Sequence, residues 1–457
     1  MKYLRQLKPV QLKNKICLLR VDFNISAKDA APVGGQGPAS GWEIGEKEAF
    51  RIWAVLPTIK FLIKNKAKVV ILSHRGRPKT QNYADYTQTN ADEFLRQSAS
   101  SRRESAFSPR ESAFSLKPFA RILSRLLKKS VHFIDFNIGK SGTSDVSKLM
   151  LILRTSDVLN IKNSPSASIF LLENLRFFPE EEKNDQDFAK SLASFGDIFI
   201  NDAFAVSHRE NASVSAITRF LPSYAGLLLE KEIKNLNSVM SGFEKPLVII
   251  LGGAKVSDKI GLINNFLGKT KYFLIGGAMA NTFFAGQGLP VGDSLYEPKA
   301  FPFVHNLRTS DVLRLILPID LVIHQRKILD IGPETIKKYA EIIKKTKTII
   351  WNGPMGMSED KRFVQGTKGI AQAVLQNKKA KIVIGGGETV ASLTTLMSAD
   401  YKRITADTYP RKSAKNQRES ATLWVSTGGG AMLEYLAGKK LPGLKALDNA
   451  DMRIQCQ

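Results

Sequence analysis

The strongest constraint on how this chain folds is a phrase that it repeats: an apolar run, a short glycine turn, then helical spacing. In its fullest form, residues 246 to 267 read PLVIILGGAKVSDKIGLINNFL. Pro246 opens a continuous apolar run at 247 to 251, Gly252 and Gly253 stop it, and Ile260, Ile263 and Leu267 then recur at helical spacing. That order describes a buried strand, a glycine turn and a helix. Residues without side chains let a phosphate approach backbone N–H groups at the positive end of a helix dipole. Ala254 and Lys255 follow the glycines, and Lys255 and Lys259, four apart, are expected on one helical face. The segment is not a Walker A motif, and two glycines at one strand-to-helix turn serve packing as often as binding.

Repetition strengthens the case. The phrase returns as YFLIGGAMANTF at 272 to 283, with Gly276 and Gly277, and as KIVIGGGETV at 381 to 390, with Gly386, Gly387, Glu388 and Thr389. It returns again as LWVSTGGGAMLEYL at 423 to 436, with Gly428 and Gly429. A further apolar run, TKTIIWNGPMG at 346 to 356, ends on Asn352 and Gly353, and its Trp351 reads as a core residue. These turns after apolar strands predict a doubly wound parallel sheet with a nucleotide-sized groove at one edge.

The first half carries apolar segments with polar ends. ICLLRVDFNI at 16 to 25 ends in Asp22, Phe23 and Asn24, and AKVVILSHRGRPK at 67 to 79 ends in Ser73, His74, Arg75, Gly76 and Arg77. SIFLLENLRFF at 168 to 178 places Arg176 just past buried positions, DIFINDAFAVSHRENAS at 197 to 213 supplies His208 and Arg209, and Arg51 starts a segment of helical periodicity. Polar residues at the carboxyl ends of parallel strands face the ligand crevice, and guanidinium forks match phosphate oxygens. Taken singly, Asp22 and Asn24 fit an Asx turn, His208 a structural histidine, and any one arginine a solvated group. Four or more cations converging on one crevice would bind a polyanionic small molecule.

Length and composition set the frame. With 457 residues, 43% of them hydrophobic, the chain can bury two sizeable cores. The division expected is 1–221 and 241–439, joined by an amphipathic connector helix at 222–240. No run of eighteen apolar residues exists and the N-terminus is too polar for a signal peptide, so a soluble, cytoplasmic protein without a membrane partner is expected. Cys17 and Cys456 match no metal motif and make no disulfide framework. The net charge of +25 comes from dispersed Lys and Arg without a nucleic-acid recognition motif. It reads as a field that steers acidic ligands rather than as a nucleic-acid footprint. The heptapeptide LRTSDVL occurs at both 153–159 and 307–313, and RESAFS at 103–108 and 110–115, with RESA at 418–421. Such repeats fit inserted sequence in surface loops, expected at 27–45, 97–114 and 402–421.

By their order as well as their content, RVDFN (20 to 24), SHRGRP (73 to 78), LLENLRF (171 to 177), NDAFAVSHR (201 to 209), GGAKVSDKI (252 to 260), WNGPMG (351 to 356), GGGET (385 to 389) and STGGGA (426 to 431) resemble phosphoglycerate kinase along nearly the whole chain. The resemblance implies an α/β protein of two Rossmann-like doubly wound parallel-sheet domains, with a connector helix, an interdomain cleft and a tail, 440–457, that rejoins the first domain. It implies reversible, in-line phosphoryl transfer between 1,3-bisphosphoglycerate and ADP, giving 3-phosphoglycerate and ATP, with hinge-bending closure. Carried onto matching positions, Asp22, Phe23, Asn24, Arg51, His74, Arg77, Arg176 and Arg209 would bind the acid substrate. Gly253, Ala254, Lys255, Lys259, Gly276, Gly277, Asn352, Glu359, Gly386, Gly387, Glu388 and Thr389 would serve the nucleotide. Arg51, Lys255, Gly428 and Gly429 would stabilise the transferring group, with Mg2+ arriving as Mg-ATP or Mg-ADP and met by Glu388. A monomer is implied.

The chain departs from the family in a few places. Glu388 stands for a usual Asp, Ala205 for Gly, Ser358 for Phe, and Arg75 for a usual leucine, adding charge to the acid site. The short stretch from Asp320 to Asp330 implies that a peripheral hairpin is missing. Two other readings compete: a basic nucleotide-binding protein that associates with nucleic acid, whose affinity would fall steeply with salt, and a decayed kinase whose insertions block closure.

Overall fold

The computed structural model describes residues 1–25, 46–78, 114–136, 155–390 and 423–454. The loops expected at 27–45 and 402–421, and all but the last residue of that at 97–114, lie outside the described residues. The chain packs as two units, Met1–Glu230 with Pro442–Gln457, and Lys231–Leu441.

The first unit is built on a parallel sheet of β1 (Ile16–Arg20), β2 (Lys68–Leu72), β3 (Val131–Ile134), β4 (Ile169–Leu172), β5 (Ile198–Asn201) and β6 (Ser223–Ala225). Its strand order is β3-β4-β2-β1-β5-β6. Every residue of β1, β2, β4 and β5 is buried. That is why these strands read as unbroken apolar runs: a parallel sheet is covered on both faces. Leu18 lies between Val70 on one side and Phe199 on the other. The chain leaves β1 towards β2 and returns on the far side as β5, and at such a reversal the carboxyl ends of the strands splay open to a ligand.

Two strands of this sheet have no apolar signature. β3 is a partly exposed edge strand, and β6 is three residues long. β6 corrects the expected connector helix, which begins at Leu227 rather than 222 and runs to Met240. Asp202 decides the start. Its Oδ1 accepts the N–H groups of Leu228 and Leu229 at 2.9 and 3.1 Å, capping the helix. Gly226 permits that approach, since a Cβ there would stand 2.2 Å from the same oxygen. The helix Pro442–Ile454 completes the unit: the Gly443 amide donates to Ser207 O at 2.9 Å, and the Met1 amino group pairs with Asp448 at 3.0 Å.

The second unit carries β7 (Leu247–Leu251), β8 (Tyr272–Ile275), β9 (Leu315–Ile316), β12 (Thr348–Asn352), β13 (Lys381–Gly385) and β14 (Leu423–Val425) in the order β14-β13-β12-β7-β8-β9, all parallel. The chain winds outward through β8 and β9, crosses back to β12 and winds out again. This is the Rossmann order, with its crevice outside the carboxyl ends of β7 and β12. Trp351 is fully buried in the core, its Nε1 donating to Gly353 O at 2.8 Å.

Three expectations are corrected here. The helix after β7 begins at Ile260, with Lys259 at its cap, so Lys255 precedes the helix and shares no helical face with Lys259. The hairpin inferred to be missing is present as β10 (Leu321–His324) against β11 (Lys327–Ile331). A two-residue turn closes it, Gln325 and Arg326 taking φ of 47° and 60°. The heptapeptide repeats are ordered where described: one copy runs into the helix Thr155–Asn163, the other forms the helical turn Thr309–Val312. Neither copy is wholly superficial: Val158 of the first packs against the core of its unit and Asp311 of the second is buried, although Leu313 is 72% exposed.

Candidate functional site

In the first unit the carboxyl ends of β1, β2 and β4 gather charge in a small volume. Arg20 closes β1 and is buried beneath the site. Its Nε donates to Ser213 Oγ at 2.8 Å, its guanidinium lies 3.7 Å from Glu181, and one terminal nitrogen meets His74 Nδ1 at 3.1 Å. A guanidinium only donates, so Nδ1 is the acceptor and the imidazole proton sits on Nε2. Burial, then the cations Arg20, Arg176, Arg51 and Arg209, hold the His74 pKa well below the usual value. His74 is therefore a neutral ring.

Asp22 accepts from Arg51 at 2.9 Å and from the Asn24 amide at 2.9 Å, the turn its sequence suggested. Arg51 also donates to Asn24 O at 2.9 Å. Asn24 Oδ1 accepts the Gly76 amide at 2.8 Å, and Gly76 O accepts from Arg176 at 2.9 Å. Arg176 and Arg77 approach the same carboxylate, Glu182, at 3.3 and 3.7 Å. Burial first, with the neighbouring Arg209, Arg20 and Arg77 acting against the raising effect of Glu182, brings the Arg176 pKa down to about 10. Arg209 donates to His208 Nε2 at 3.2 Å. The cations thus outnumber their carboxylate partners, the electrostatic condition of an anion site.

Two predicted members behave differently. Phe23 turns its ring into the core, stacked on Phe119 at 5.2 Å, and offers only its backbone, whose amide donates to Ser73 Oγ at 2.9 Å. Arg75 does not add charge to the site surface. It is 1% exposed, with its guanidinium 5.6 Å from the Phe119 centroid.

The second unit holds a cavity of about 580 Å³ beside the carboxyl ends of β7, β8 and β12. Of the predicted residues, Gly253, Ala254, Gly277, Glu359 and Glu388 line it. Asn352 and Thr389 stand behind: Asn352 Nδ2 donates to Gly385 O at 3.0 Å, and Thr389 Oγ1 accepts the Gly353 amide at 2.7 Å. Lys259 is buried, its Nζ donating to Lys255 O at 3.1 Å. Burial lowers its pKa, against the opposing pull of Asp258, Glu388 and Glu297. Lys255 is exposed.

The glycines divide into two classes. The amides of Gly252, Gly253, Gly276 and Gly277 donate to Asn352 O, Pro354 O, Leu251 O and Met355 O at 2.7 to 3.0 Å. A Cβ on Gly252 would stand 2.0 Å from Pro354 O. These glycines let backbone meet backbone, so their amides do not cradle a phosphate as the sequence suggested. By contrast, Gly387 is exposed and a Cβ there would meet no atom within 4 Å among the described residues. A Cβ on Gly429 would lie 3.2 Å from Gly386 Cα, so the turns 386–387 and 428–429 pack against each other. The Gly428 amide donates to Ser426 Oγ at 3.2 Å.

Several participants carried no readable signal. Glu232, fully buried, accepts the Thr427 amide and hydroxyl at 2.6 and 2.7 Å and Trp424 Nε1 at 2.9 Å, which pins the 427–429 turn. Asp330 lines the cavity, and burial pushes its carboxyl up to about 6. Arg20 did have a signal, a charge inside an apolar run, which the motif reading passed over; Glu181, in the middle of the acidic run 180–182, had none.

A family model described as phosphoglycerate kinase matches residues 7–439. The chain is 38% identical over 464 residues to the phosphoglycerate kinase of Pseudothermotoga lettingae, spanning 96% of this chain and 98% of that one. It is 36% identical over 471 residues to that of Chloroflexus aggregans, spanning 98% and 99%. Among solved structures, phosphoglycerate kinase from Coxiella burnetii superposes with a TM-score of 0.67 at 30% identity, covering 98% of both chains. That from Pyrococcus horikoshii superposes at 0.70 with 28% identity, covering 99% of this chain and 100% of its own.

Proposed function

This chain belongs to the phosphoglycerate kinase family, and we propose that its basic cluster holds 3-phosphoglycerate while the cavity beside β7 and β12 holds the nucleotide. The enzyme carries out the glycolytic exchange of a phosphoryl group between 1,3-bisphosphoglycerate and ADP. The observation that carries the site assignment is the convergence of Arg20, Arg51, Arg176 and Arg209 on a neutral His74. A phosphate with a carboxylate is the small anion such a cluster suits.

Phosphoryl transfer asks a protein for alignment and for positive charge around equatorial oxygens, not for covalent participation. Arg51, Lys255 and the amides of Gly386, Gly387 and Gly429 supply that charge in this reading, with Lys259 on the nucleotide phosphates; the Gly428 amide, engaged by Ser426 Oγ, shapes the turn instead. The acceptor is already a carboxylate, so no side chain needs to remove a proton. His74 orients substrate through its Nε2–H and stays uncharged throughout. Among the described residues no three acidic, histidine or cysteine side chains form a metal cage. The exposed Glu388, close to Gly253, suits a magnesium ion that arrives on the nucleotide. When bound, magnesium neutralises phosphate charge. A cytoplasmic monomer completes the proposal; no described helix is long and apolar enough to cross a membrane.

The test is a coupled assay of the purified chain with 3-phosphoglycerate, ATP and magnesium. Turnover is expected, with kcat/KM falling by about 10²-fold or more in Arg51→Ala and in Lys255→Ala while the melting temperature holds. Flat turnover at saturating substrates rejects the reading, and so does full activity in both variants.

A further inference from the structure

Among the described strand-end arginines, Arg20 is buried against His74, whereas Arg75 is buried against Phe119 and the segment before the helix Lys117–Leu127. At 1% exposure it is among the largest fully buried side chains described. Burying a guanidinium is costly unless its donors are met. Its Nε donates to Ile25 O and one terminal nitrogen to Ser115 O, both at 3.2 Å, and its carbon stands 5.6 Å from the Phe119 centroid.

Those contacts join pieces of chain that belong to different elements. Ile25 ends the turn after β1, Arg75 follows β2, and Ser115 leads into the helix Lys117–Leu127, against which Phe23 stacks. The backbone of Arg75 is held as well. Its amide donates to Asn174 Oδ1 at 3.1 Å, and its carbonyl accepts Asn174 Nδ2 at 2.7 Å, which ties it to the turn after β4. Ser115 Oγ in turn donates to Glu173 at 2.6 Å. Immediately beside this joint lies Gly76, whose amide donates to Asn24 Oδ1 and whose carbonyl accepts from Arg176, two members of the basic cluster's surroundings.

We propose that Arg75 is a positioning residue for the acid substrate: from the turn after β2 it holds Ile25 O in the β1 turn and Ser115 O ahead of the helix Lys117–Leu127, and so keeps Asn24 and Arg176 on Gly76. The inference rests on the reading of the basic cluster as the 3-phosphoglycerate site. A leucine, the residue the family resemblance placed here, would fill the space and stack on Phe119 but would bridge neither carbonyl.

The experiment compares Arg75→Leu, Arg75→Lys and Arg176→Ala in the full chain, measuring KM for 3-phosphoglycerate and for Mg-ATP separately, kcat, and melting temperature. Arg75→Leu is expected to raise KM for 3-phosphoglycerate about five- to tenfold, with KM for ATP and kcat within about twofold. Arg75→Lys is expected to fall between, because one ammonium lacks the fork that spans two carbonyls. A variant with lower melting temperature but unchanged KM for both substrates would show a role in stability alone and overturn the proposal. If Arg75→Leu does not fold, Arg75→Lys decides, and an unchanged KM there overturns it too. Arg176→Ala separates the two claims: if it leaves KM for 3-phosphoglycerate untouched, the site assignment fails regardless of Arg75, whereas a rise there with none in the Arg75 variants sinks only the present inference.

Discussion

At the scale of single residues, the site works by what it does to protonation. His74 sits among arginines and is denied water, so burial foremost and the surrounding cations hold its pKa far down. An unfolded chain offers that ring at its ordinary value near 6.5. The stability contributed by the neutral ring is complete above that value and declines as pH falls through it, because only the unfolded chain takes up the proton. Nitrogen NMR of the His74 ring is expected to show the neutral Nε2–H form on both sides of the ordinary imidazole value, with no titration midpoint near 6.5. A midpoint there would mean that the ring is solvated and the arginines are not close. Asp22 and Asn24 were readable as an Asx turn because a short polar side chain bonding its own backbone is a local event. Arg75 was not readable, because whether an arginine at a strand end faces solvent or core depends on Phe119 and Ser115, more than 35 positions away.

At the scale of elements, the strand-glycine-helix phrase predicted the second sheet but misassigned what its glycines do. Gly252 and Gly253 join β7 to the turn after β12, whereas a Cβ on Gly387 meets no atom within 4 Å among the described residues. The two classes are expected to fail differently. Gly252→Ala drives a Cβ into the Pro354 carbonyl and is expected to cost about 2–4 kcal/mol of stability, read as a drop in melting temperature. Gly387→Ala meets no atom within 4 Å among the described residues, so it is expected to keep the melting temperature and, if the proposed nucleotide site holds, to raise KM for ATP several-fold, because the new methyl enters the space assigned to phosphate. Equal losses of stability in the two would contradict the division. β3 and β6 escaped notice for a related reason: edge and three-residue strands carry too few apolar positions for a period to show.

For the molecule as a whole, the charge of +25 is far larger than one anion site needs. Dispersed cations act on an acidic substrate through a field that salt screens, over about 30 Å at 0.01 M and about 8 Å at 0.15 M. KM for 3-phosphoglycerate is therefore expected to climb with ionic strength, and to climb in parallel in the Arg75 variants, whose altered contact is buried and short-ranged. A KM independent of salt would confine the electrostatics to the cluster around His74. The heptapeptide repeats are built into their units rather than merely added to them, Val158 packing on the first core and Asp311 buried in the second unit.

The amino-acid sequence alone determined the family and the parallel-sheet class. Those features are written locally, as apolar runs that must be buried on both faces and as polar residues placed at their ends. Tertiary structure alone decided which donors remain for a ligand. Gly253 and Gly387 read alike in the chain, and Arg75 reads like Arg77; they part company only when distant segments fold against them, because a hydrogen-bonding group is free or engaged according to what lies opposite it in space.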